Sequence, residues 1–457
     1  MDEARFRALL DRAMDGIEAW ERGFGAFDQD PTLDVSAADA SKVIDELVER
    51  LHENYPFFHP AYAGQMLKPP HAVALAAYAA AARINPNNHA LDGGPATARL
   101  EREAVSAIAA MFGFREPHLG HLTSSGTIAN LEALWVAAKT HPGKAIAHSA
   151  EAHYTHGRMA SVLGIESMAI PVDRRGRMSL GALEGVPAGA VGTVVATAGT
   201  TSCGAVDPVD EIVALARERG WRVHVDAAYG GFYTILKDVP EARLDPRAWH
   251  AVSSADSIVV DPHKHGLQPY GCGCVVFADP SVGAYYRHDS PATYFTSAEM
   301  HLGEISLECS RPGAAAAALW ATIRCFPLTP DGLGRPLLRS RLAAIAAHAR
   351  AVVGAKLVPV VEPELDIFTA APAVPGERVR ASVVSDRTER LFARCASDPR
   401  APLHLAKLRI AKAFGALCLP DVEWDRDDCL VIRSVLMKPE HFGRVEEIVR
   451  RLEAWDR

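Results

Sequence analysis

Short apolar segments recur through the middle of the chain and alternate with segments of helical periodicity. Helical spacing is clear over residues 127–139 and 209–220. Runs that are apolar on both faces and are joined by such helices predict a mainly parallel sheet covered by helices on both sides. The six segments that we predict to be its strands are residues 144–148, 167–172, 192–197, 222–226, 257–260 and 274–277.

The regions on either side of this sheet have a different pattern. Before it, an apolar stripe at helical spacing predicts an amphipathic helix that carries Val43, Ile44, Leu47, Val48 and Leu51. After it, a segment rich in proline and glycine over residues 327–336 predicts a domain boundary, and shorter apolar runs follow at 356–362, 365–371 and 429–437. We therefore expect an N-terminal helical segment over 1–95, a large domain over 96–330 and a small α+β domain over 331–457.

The composition excludes some classes of partner. Hydrophobic residues make up 49% and charged residues 23% of the 457 residues, and the formal net charge is −8. An acidic chain is poorly suited to bind nucleic acid or an anionic membrane surface. We identify no signal peptide and no apolar run long enough to span a bilayer. Eight dispersed cysteines are typical of reduced thiols, so we expect a cytoplasmic protein.

A lysine follows the predicted strand 257–260 closely, in the sequence DPHKH over residues 261–265. An ordinary lysine amine has a pKa of about 10.4 and is a poor nucleophile at neutral pH. At a partly desolvated strand end beside other cations, we expect Lys264 to lose its proton more easily and to form a Schiff base. The alternative is an ordinary lysine whose amine extends to solvent at the edge of the protein surface, but this alternative leaves the flanking histidines unexplained.

The histidines on either side of Lys264 raise the question of a metal. His263 and His265 have a spacing that occurs in metal sites. Such sites usually need a third ligand, and they have no use for a lysine between two histidines. We therefore expect no metal here.

Other candidate residues lie at strand ends, where parallel sheets bind ligands. Gly126 and Thr127 open a helix, and free N–H groups there suit a phosphate, although a plain N-cap is the alternative. Asp226 ends an apolar strand, where a carboxylate is costly without a cation, although it could cap the next turn. His153 and His156 open another helix, and either could be an ordinary surface residue.

Three of these features suit one ligand. The helix start suits a phosphate, the Asp226 carboxylate suits a protonated ring nitrogen, and the Lys264 amine suits an aldehyde. Pyridoxal 5′-phosphate carries all three groups, and a carboxylate at its ring nitrogen lets the ring accept electrons. The residues therefore predict this cofactor.

The motifs resemble those of the group II pyridoxal-phosphate-dependent amino acid decarboxylases. This family includes aromatic L-amino acid, glutamate, histidine and tyrosine/aspartate decarboxylases. DPHKHG is similar to the family's N/D-P-H-K lysine motif, and the similarity extends from about His59 to Trp320. The motifs that carry it are, in chain order, HPAYAG, GPATARLEREAV, LTSSGTIANLEAL, EAHYTH, ATAGTTSCGAVD, HVDAAYGG, DPHKHG and LECSRPG.

The resemblance implies individual roles near the cofactor. Lys264 would form the Schiff base, and Asp226 would pair with the pyridine nitrogen. His153 would stack on the ring opposite Ala228 and help to orient the substrate carboxylate. The further cofactor contacts that the resemblance implies are Gly126 and Thr127 at the phosphate, His263 at the phosphate or the lysine, Thr200 near the ring, and Ser310 reaching the phosphate from the neighbouring subunit.

The resemblance also implies the fold and the reaction. The fold would be fold type I, an α/β fold with a seven-stranded, mostly parallel sheet, a small C-terminal domain and an N-terminal segment that wraps a partner. The protein would be an obligate homodimer with shared active sites. It would convert an L-amino acid, aromatic or acidic, to an amine and CO₂, with Tyr294 as the proton donor.

Some points stay open at this stage. Another fold type I reaction, such as an aminotransferase, a desulfurase or an aldehyde synthase, is the alternative. Tyrosine at position 294 favours simple decarboxylation, because the aldehyde-forming relatives typically carry phenylalanine there. Where the family commonly has paired glycines, this chain has Ser125-Gly126. The family's C-terminal arginine has no assigned match, because Arg433 lies several residues early.

Overall fold

The computed structural model describes residues 3–287 and 302–456. The helices, numbered in chain order, are α1 (Glu3–Arg22), α2 (Ala37–Leu51), α3 (Ala72–Ile84), α4 (Pro95–Phe112), α5 (Gly126–Thr140), α6 (Thr155–Leu163), α7 (Leu180–Glu184), α8 (Val209–Arg219), α9 (Pro246–Ala251), α10 (Gly313–Cys325), α11 (Gly334–Gly354), α12 (Ala381–Ser397), α13 (Lys412–Cys418) and α14 (Val445–Glu453). The strands are β1 (Leu119–Thr123), β2 (Ala145–Ser149), β3 (Ser167–Ile170), β4 (Val191–Thr197), β5 (Arg222–Asp226), β6 (Ser257–Val260), β7 (Gly273–Phe277), β8 (Val358–Pro359), β9 (Ile367–Ala371), β10 (Val379–Arg380), β11 (Ala406–Ala411), β12 (Val422–Glu423) and β13 (Asp428–Val435).

Seven strands form the main sheet, in the order β1-β7-β6-β5-β4-β2-β3. Pairing is parallel from β6 through β5, β4 and β2 to β3, whereas β7 is antiparallel to both β6 and β1. The predicted mostly parallel seven-stranded sheet is therefore confirmed. All six predicted segments are strands of this sheet, and β1 is the seventh.

The central strands are buried on both faces, as their composition predicts. Every residue of β4, β6 and β7 is buried. Because β4, β5 and β6 are parallel and in register, their carboxyl ends lie at one edge of the sheet: Thr197 pairs with Asp226, and Asp226 pairs with Val259. This edge is where the sequence places its candidate residues.

A second, antiparallel sheet lies in the C-terminal region, in the order β11-β13-β9-β8. Two of its predicted strands, β9 and β13, are confirmed, so the region has the expected α+β character. The prediction over 356–362 is wrong in extent, because β8 contains only Val358 and Pro359. Strand β11 was missed, because it alternates buried with exposed positions and carries Lys407 and Arg409 on its open face. The division into three domains stays a prediction.

The two N-terminal helices lie on the surface of the chain. Helix α2 forms where the apolar stripe predicts it, but neither α1 nor α2 contains a buried residue. The five apolar residues of the α2 stripe are 46–63% exposed. Helix α1 is held to α3 in part by an ion pair between Glu21 and Arg83, 2.7 Å apart. The apolar face of α2 is therefore open in the single chain.

Two observations concern membranes and disulfides. No helix within residues 3–287 and 302–456 is long and apolar enough to cross a lipid bilayer. All eight cysteines are free thiols, as the sequence predicted. Disulfides therefore make no contribution to this fold.

A buried polar bridge fixes α5 against the sheet. His224 in β5 accepts a hydrogen bond from Ser257 in β6 at its Nδ1 and donates from Nε2 to the Asn130 side chain in α5, both at 2.9 Å. Asn130 in turn donates to the carbonyl oxygen of Gly126, at 2.9 Å. Burial lowers the pKa of His224 to about 3, so the ring is neutral in the folded chain. The bridge thus sets the position of the start of α5 over the ends of β5 and β6.

We expect His224 to make stability depend on pH. Its pKa rises from about 3 in the folded chain to about 6.5 on unfolding, so the unfolded chain binds the extra proton between these values. Stability is therefore full above pH 6.5 and falls as the pH decreases, by roughly 2 kcal/mol between pH 6.5 and pH 5. Urea unfolding of wild type and His224→Gln at both pH values should show a smaller loss in the variant.

The matched control is His52→Gln, which removes an exposed imidazole at the end of α2. This variant should keep the wild-type dependence of unfolding free energy on pH. If His224→Gln lost as much stability as wild type over the same range, the buried imidazole would not be the group that titrates.

Candidate active site

The carboxyl ends of β4, β5 and β6 border a cavity of about 300 Å³ together with the starts of α5 and α6. Seven of the predicted residues line it: Gly126, Thr127, His153, Asp226, Ala228, His263 and Lys264. Residues that are up to 138 positions apart in the sequence, from Gly126 to Lys264, thus meet in one place. The register of the parallel strands brings them together.

Lys264 lies in the turn after β6, with its amine 3.0 Å from the Asp261 carboxylate. Burial by itself lowers the pKa of Lys264, but the charges of Asp261 and Asp226 outweigh it and raise the pKa above the usual value. The expectation that Lys264 loses its proton more easily is therefore wrong for the polypeptide alone. The physical reason is that two carboxylates, Asp261 and Asp226, lie near the amine and favour its protonated form more than burial opposes it.

Asp226 ends β5 with both carboxylate oxygens bonded. His156 donates from Nε2 to Oδ2 at 2.8 Å, and the backbone N–H of Ala228 donates to Oδ1 at 3.1 Å. Burial by itself raises the pKa of Asp226, but the hydrogen bond and charge of His156 and the charge of Lys264 hold the pKa well below its usual range. Asp226 is therefore a buried, ionised carboxylate in the cavity wall.

The start of α5 is shaped by a close approach of Asp261. Ser125 is the N-cap, and its hydroxyl accepts from the N–H of Ile128 at 3.3 Å. A Cβ atom on Gly126 would lie 2.5 Å from Asp261 Oδ2, so a side chain is not tolerated there. The bare backbone lets the carboxylate lie near the helix N-terminus, where the helix dipole favours negative charge. Glycine at 126 is therefore required by Asp261.

The two predicted cavity histidines are both uncharged at neutral pH, because burial lowers the pKa of each. The N–H of Thr155 donates to Nδ1 of His153 at 3.3 Å, so the ring proton of His153 is on Nε2. His263 donates from Nδ1 to the carbonyl oxygen of Cys272 at 2.8 Å, and its ring lies 4.5 Å from that of Tyr270. Each ring is thus held in one orientation.

Two described residues among those predicted, Thr200 and Ser310, are not in the cavity wall. Thr200 is buried behind it, with its hydroxyl accepting from the N–H of Ala205 at 3.0 Å, and Thr201 lines the cavity instead. Ser310 is exposed on the surface of its own chain and accepts a hydrogen bond from Asn87 at 3.1 Å. Tyr294 lies outside the described residues. The roles expected for these three stay predictions.

The residues that line the cavity without having been predicted include Asn130, Thr201, Asp261 and Tyr270. Asp261 had a sequence signal, because it precedes Lys264 by three residues in a turn closed by a hydrogen bond from the N–H of Lys264 to the carbonyl of Asp261, at 2.9 Å. The other three carry no signal that separates them from ordinary polar residues. His156 also escaped prediction as the partner of Asp226.

A second cavity of about 520 Å³ adjoins the first and shares His153, Thr201, Lys264 and Tyr270 with it. Its other lining residues are mainly aromatic and apolar: Tyr55, Phe57, Tyr62, Gln65, Met66, Leu67 and Arg433. Arg433 is the cationic group that the C-terminal region contributes to this wall. The two cavities together form one site with a polar end and an aromatic end.

Arg433 reaches this site from β13. Its Nε donates to the carbonyl of Ser202 at 3.1 Å and its Nη1 to the carbonyl of Gly64 at 3.3 Å. Its Nη2 is buried and has no hydrogen-bond partner among the described residues. Arg433 lines the second cavity and is 4% exposed, so a buried positive charge lies in its wall.

Comparison with known proteins agrees with this geometry. Residues 27–329 match the family described as the pyridoxal-dependent decarboxylase conserved domain. The L-tyrosine decarboxylase of Enterococcus faecium is 29% identical, with 64% of each chain covered, so this chain spans less than two thirds of that relative. A probable L-aspartate decarboxylase of Halobacterium salinarum is 31% identical, with 67% of this chain and 81% of that protein covered.

A solved structure shows the same fold. The tryptophan decarboxylase of Catharanthus roseus, in complex with L-tryptophan, has a TM-score of 0.75 over 99% of both chains at 17% identity. The predicted fold type I architecture is thereby confirmed. The chain belongs to the pyridoxal-dependent decarboxylase family, with pyridoxal 5′-phosphate as its cofactor.

Proposed function

We propose that the protein decarboxylates an L-amino acid, with an aromatic one favoured, to the corresponding amine and CO₂. One observation carries the proposal: the amine of Lys264, the ionised carboxylate of Asp226 and the start of α5 line a single cavity. These are the groups that an aldehyde, a protonated ring nitrogen and a phosphate require. Membership of the family supports the same conclusion.

The cavity residues fit the cofactor on structural grounds. Asp226 is an anion that is already held by two hydrogen bonds, so it can keep a proton on a ring nitrogen beside it. Ala228 and His153 line the same cavity, and the small alanine leaves room for a flat ring. Gly126 and Thr127 line it as well, at the first turn of α5, where N–H groups have no partner within the helix.

When bound, the cofactor supplies an electron sink for the pair of electrons that the departing CO₂ leaves behind. The chain supplies the rest. Asp226 stabilises positive charge at the ring nitrogen, and Asp261 lies 3.0 Å from the Lys264 amine, within reach of its proton. His153 presents an Nε2–H, which can donate to a carboxylate oxygen. Tyr294 remains our proposed proton donor to the substrate carbon.

We propose Arg433 as the residue that binds the substrate carboxylate. Its buried Nη2 has no partner among the described residues, and its wall adjoins Lys264. A buried cation with a free donor is unfavourable unless an anion meets it. The two carbonyls that accept from Nε and Nη1 orient the guanidinium group, so the group is already positioned before a substrate carboxylate binds.

The aromatic end of the site supports an aromatic side chain on the substrate. Tyr55, Phe57 and Tyr62 lie within 6.2 Å of one another by ring centroids, and Met66 adds an apolar surface. Aromatic rings in such clusters favour edge-to-face contact with a further ring. Apart from Arg433 and Lys264, no lysine or arginine of the described chain lines this cavity. An acidic side chain would therefore lack a second cation there.

We propose that the protein acts as a homodimer. The open apolar face of α2 supports this, because contiguous exposed apolar surface is typical of interfaces. Ser310 is exposed and lies outside the cavity of its own chain, which agrees with a role in the partner's site. Free thiols throughout are consistent with the cytoplasmic location that we propose.

The assignment of Lys264 and Asp226 can be tested with two variants. Lys264→Ala should abolish CO₂ release and the incorporation of cofactor on borohydride reduction. Asp226→Asn should still bind cofactor but lose activity by roughly 10²-fold or more, since a neutral amide cannot hold the ring proton. Peptide mapping of the reduced wild-type protein provides the check: cofactor on any lysine other than 264 contradicts the assignment.

Arg433 can be tested by comparing ligands with and without a carboxylate. Arg433→Gln should raise KM for the amino acid by roughly 10- to 100-fold, because a charge-assisted hydrogen bond is lost. Inhibition by the product amine, which has no carboxylate, should stay as in wild type. Arg433→Lys, which keeps the charge, should recover part of the loss. If amine inhibition weakened in parallel with KM, Arg433 would be only a structural residue.

The dimer can be tested at the α2 face. The double change Ile44→Lys and Leu47→Lys places two charges on the apolar stripe. Sedimentation equilibrium should then show a monomer, and a CO₂ assay should show little activity. Glu49→Lys, on the opposite face of the same helix, is the control and should leave assembly unchanged. A double variant that remains a dimer would show that α2 lies outside the interface.

A further inference from the structure

The segment before β9 lies between α11 and the loops that follow β4 and β5. Arg341 Nη1 donates to the carbonyl oxygens of Pro363 and Leu365, at 2.8 and 3.0 Å, and fixes the backbone. The Leu365 side chain lies against Gly199 and Gly230, where an added Cβ would be 2.9 and 2.8 Å from its Cδ1. These glycines follow β4 and β5. The segment therefore packs directly behind the cavity edge of the main sheet.

Asp366 is the last residue of this segment, and its carboxylate is fully buried. Tyr229 donates from its hydroxyl to Oδ1 at 2.5 Å. Oδ2 lies 3.4 Å from Nε2 of His265, without the geometry of a hydrogen bond. The N–H of Leu436 donates to the backbone carbonyl of Asp366 at 2.8 Å, so the position of the carboxylate is fixed by the C-terminal sheet.

Two of the side chains near the Asp366 carboxylate, Tyr229 and His265, belong to the two cofactor loops, and Tyr233 also interacts with this carboxylate. Tyr229 lines the cavity and follows Asp226 by three residues. His265 is the residue directly after Lys264. The rings of Tyr229 and His265 also pack on each other, with centroids 4.8 Å apart. A single carboxylate from the C-terminal region thus binds the Tyr229 loop from behind, and the Tyr229 ring in turn packs on His265.

Stability does not explain a carboxylate at this place. Asp366 Oδ2 and both ring nitrogens of His265 are buried without a hydrogen-bond partner among the described residues. Burial raises the pKa of Asp366, against the opposing effects of Tyr229 and the charge of Lys68. Burial and the charges of Lys68 and Lys264 keep His265 neutral by lowering its pKa. Apolar residues of similar volume would avoid these costs.

We propose that Asp366 is a positioning residue for the cofactor site, which holds the Tyr229 loop and, through the ring contact of Tyr229 with His265, the Lys264 loop, so that Asp226 and Lys264 keep their separation. The inference rests on the proposed roles of Asp226 and Lys264. Asp366 does not line the cavity, so it acts on the cavity through Tyr229. Loss of the contact should therefore weaken cofactor binding without changing any group that touches the cofactor.

The test is a cofactor titration of the cofactor-free protein at a temperature where every variant is folded by circular dichroism. Asp366→Leu, which removes the acceptor at similar volume, should raise the dissociation constant of pyridoxal 5′-phosphate on the order of tenfold. Asp366→Asn, whose amide oxygen can still accept from Tyr229, should stay near the wild-type value. Tyr229→Phe should weaken binding as Asp366→Leu does, and the double variant should be no weaker than either.

Glu364→Gln is the matched control. It removes a negative charge two residues earlier, where Glu364 accepts from the N–H of Val206 at 2.7 Å and pairs with Arg175 at 2.9 Å. It should change the melting temperature but leave the dissociation constant as in wild type. If Asp366→Leu does not fold, Tyr229→Phe decides, because it removes one hydroxyl and keeps the ring.

Two outcomes would overturn the inference. One is a folded Asp366→Leu, or failing that a Tyr229→Phe, that binds cofactor as wild type does. The other is additive losses in the double variant, which would mean that the two residues act independently. Failure of the proposed function looks different, because wild type itself would then show no reducible cofactor adduct on Lys264.

Discussion

The contact between the Asp261 carboxylate and the amine of Lys264, 3.0 Å apart, constrains the rest of the cavity. The carboxylate is buried, so it needs positive charge close by. It obtains this from Lys264 and from the N-terminus of α5, which approaches because residue 126 has no side chain. The contact therefore ties together the end of β6, the start of α5 and the lysine. The need to balance the charge of the Asp261 carboxylate therefore fixes the position of these three parts of the cavity wall.

The same contact sets the resting chemistry of the lysine. Asp261 and Asp226 both raise the pKa of Lys264, so the amine is protonated at neutral pH and must give up its proton before it can attack a carbonyl. Asp226 is unsuited to take that proton, because His156 and Lys264 hold its pKa well below the usual range. Asp261 lies within hydrogen-bonding distance of the amine and is the group best placed to accept it.

Sequence reasoning succeeded where strand register alone fixes position. Lys264 and Asp226 follow apolar strands that are parallel neighbours, so the sequence was enough to bring them together. It failed where segments that are far apart in the sequence come together in the fold. The predicted pKa direction of Lys264 was wrong because the prediction considered only the flanking histidines, whereas Asp261, three residues earlier, and Asp226, which the fold brings close, both raise the pKa. Arg433 lies 169 positions beyond Lys264, and spacing could not align it with the family pattern.

The C-terminal region therefore belongs to the site as much as the main sheet does. β13 supplies Arg433 to the cavity wall, and the segment before β9 supplies Asp366 behind it. β9 and β13 are adjacent and antiparallel, with Ile367 paired to Val435, so Arg433 and the segment that carries Asp366 are joined by one ladder of backbone hydrogen bonds. If Arg433 binds the substrate carboxylate and Asp366 positions the Tyr229 loop, as we propose, a shift of that sheet would change both contacts together. The roles that we propose for Arg433 and Asp366 would then connect substrate binding with cofactor geometry through β9 and β13.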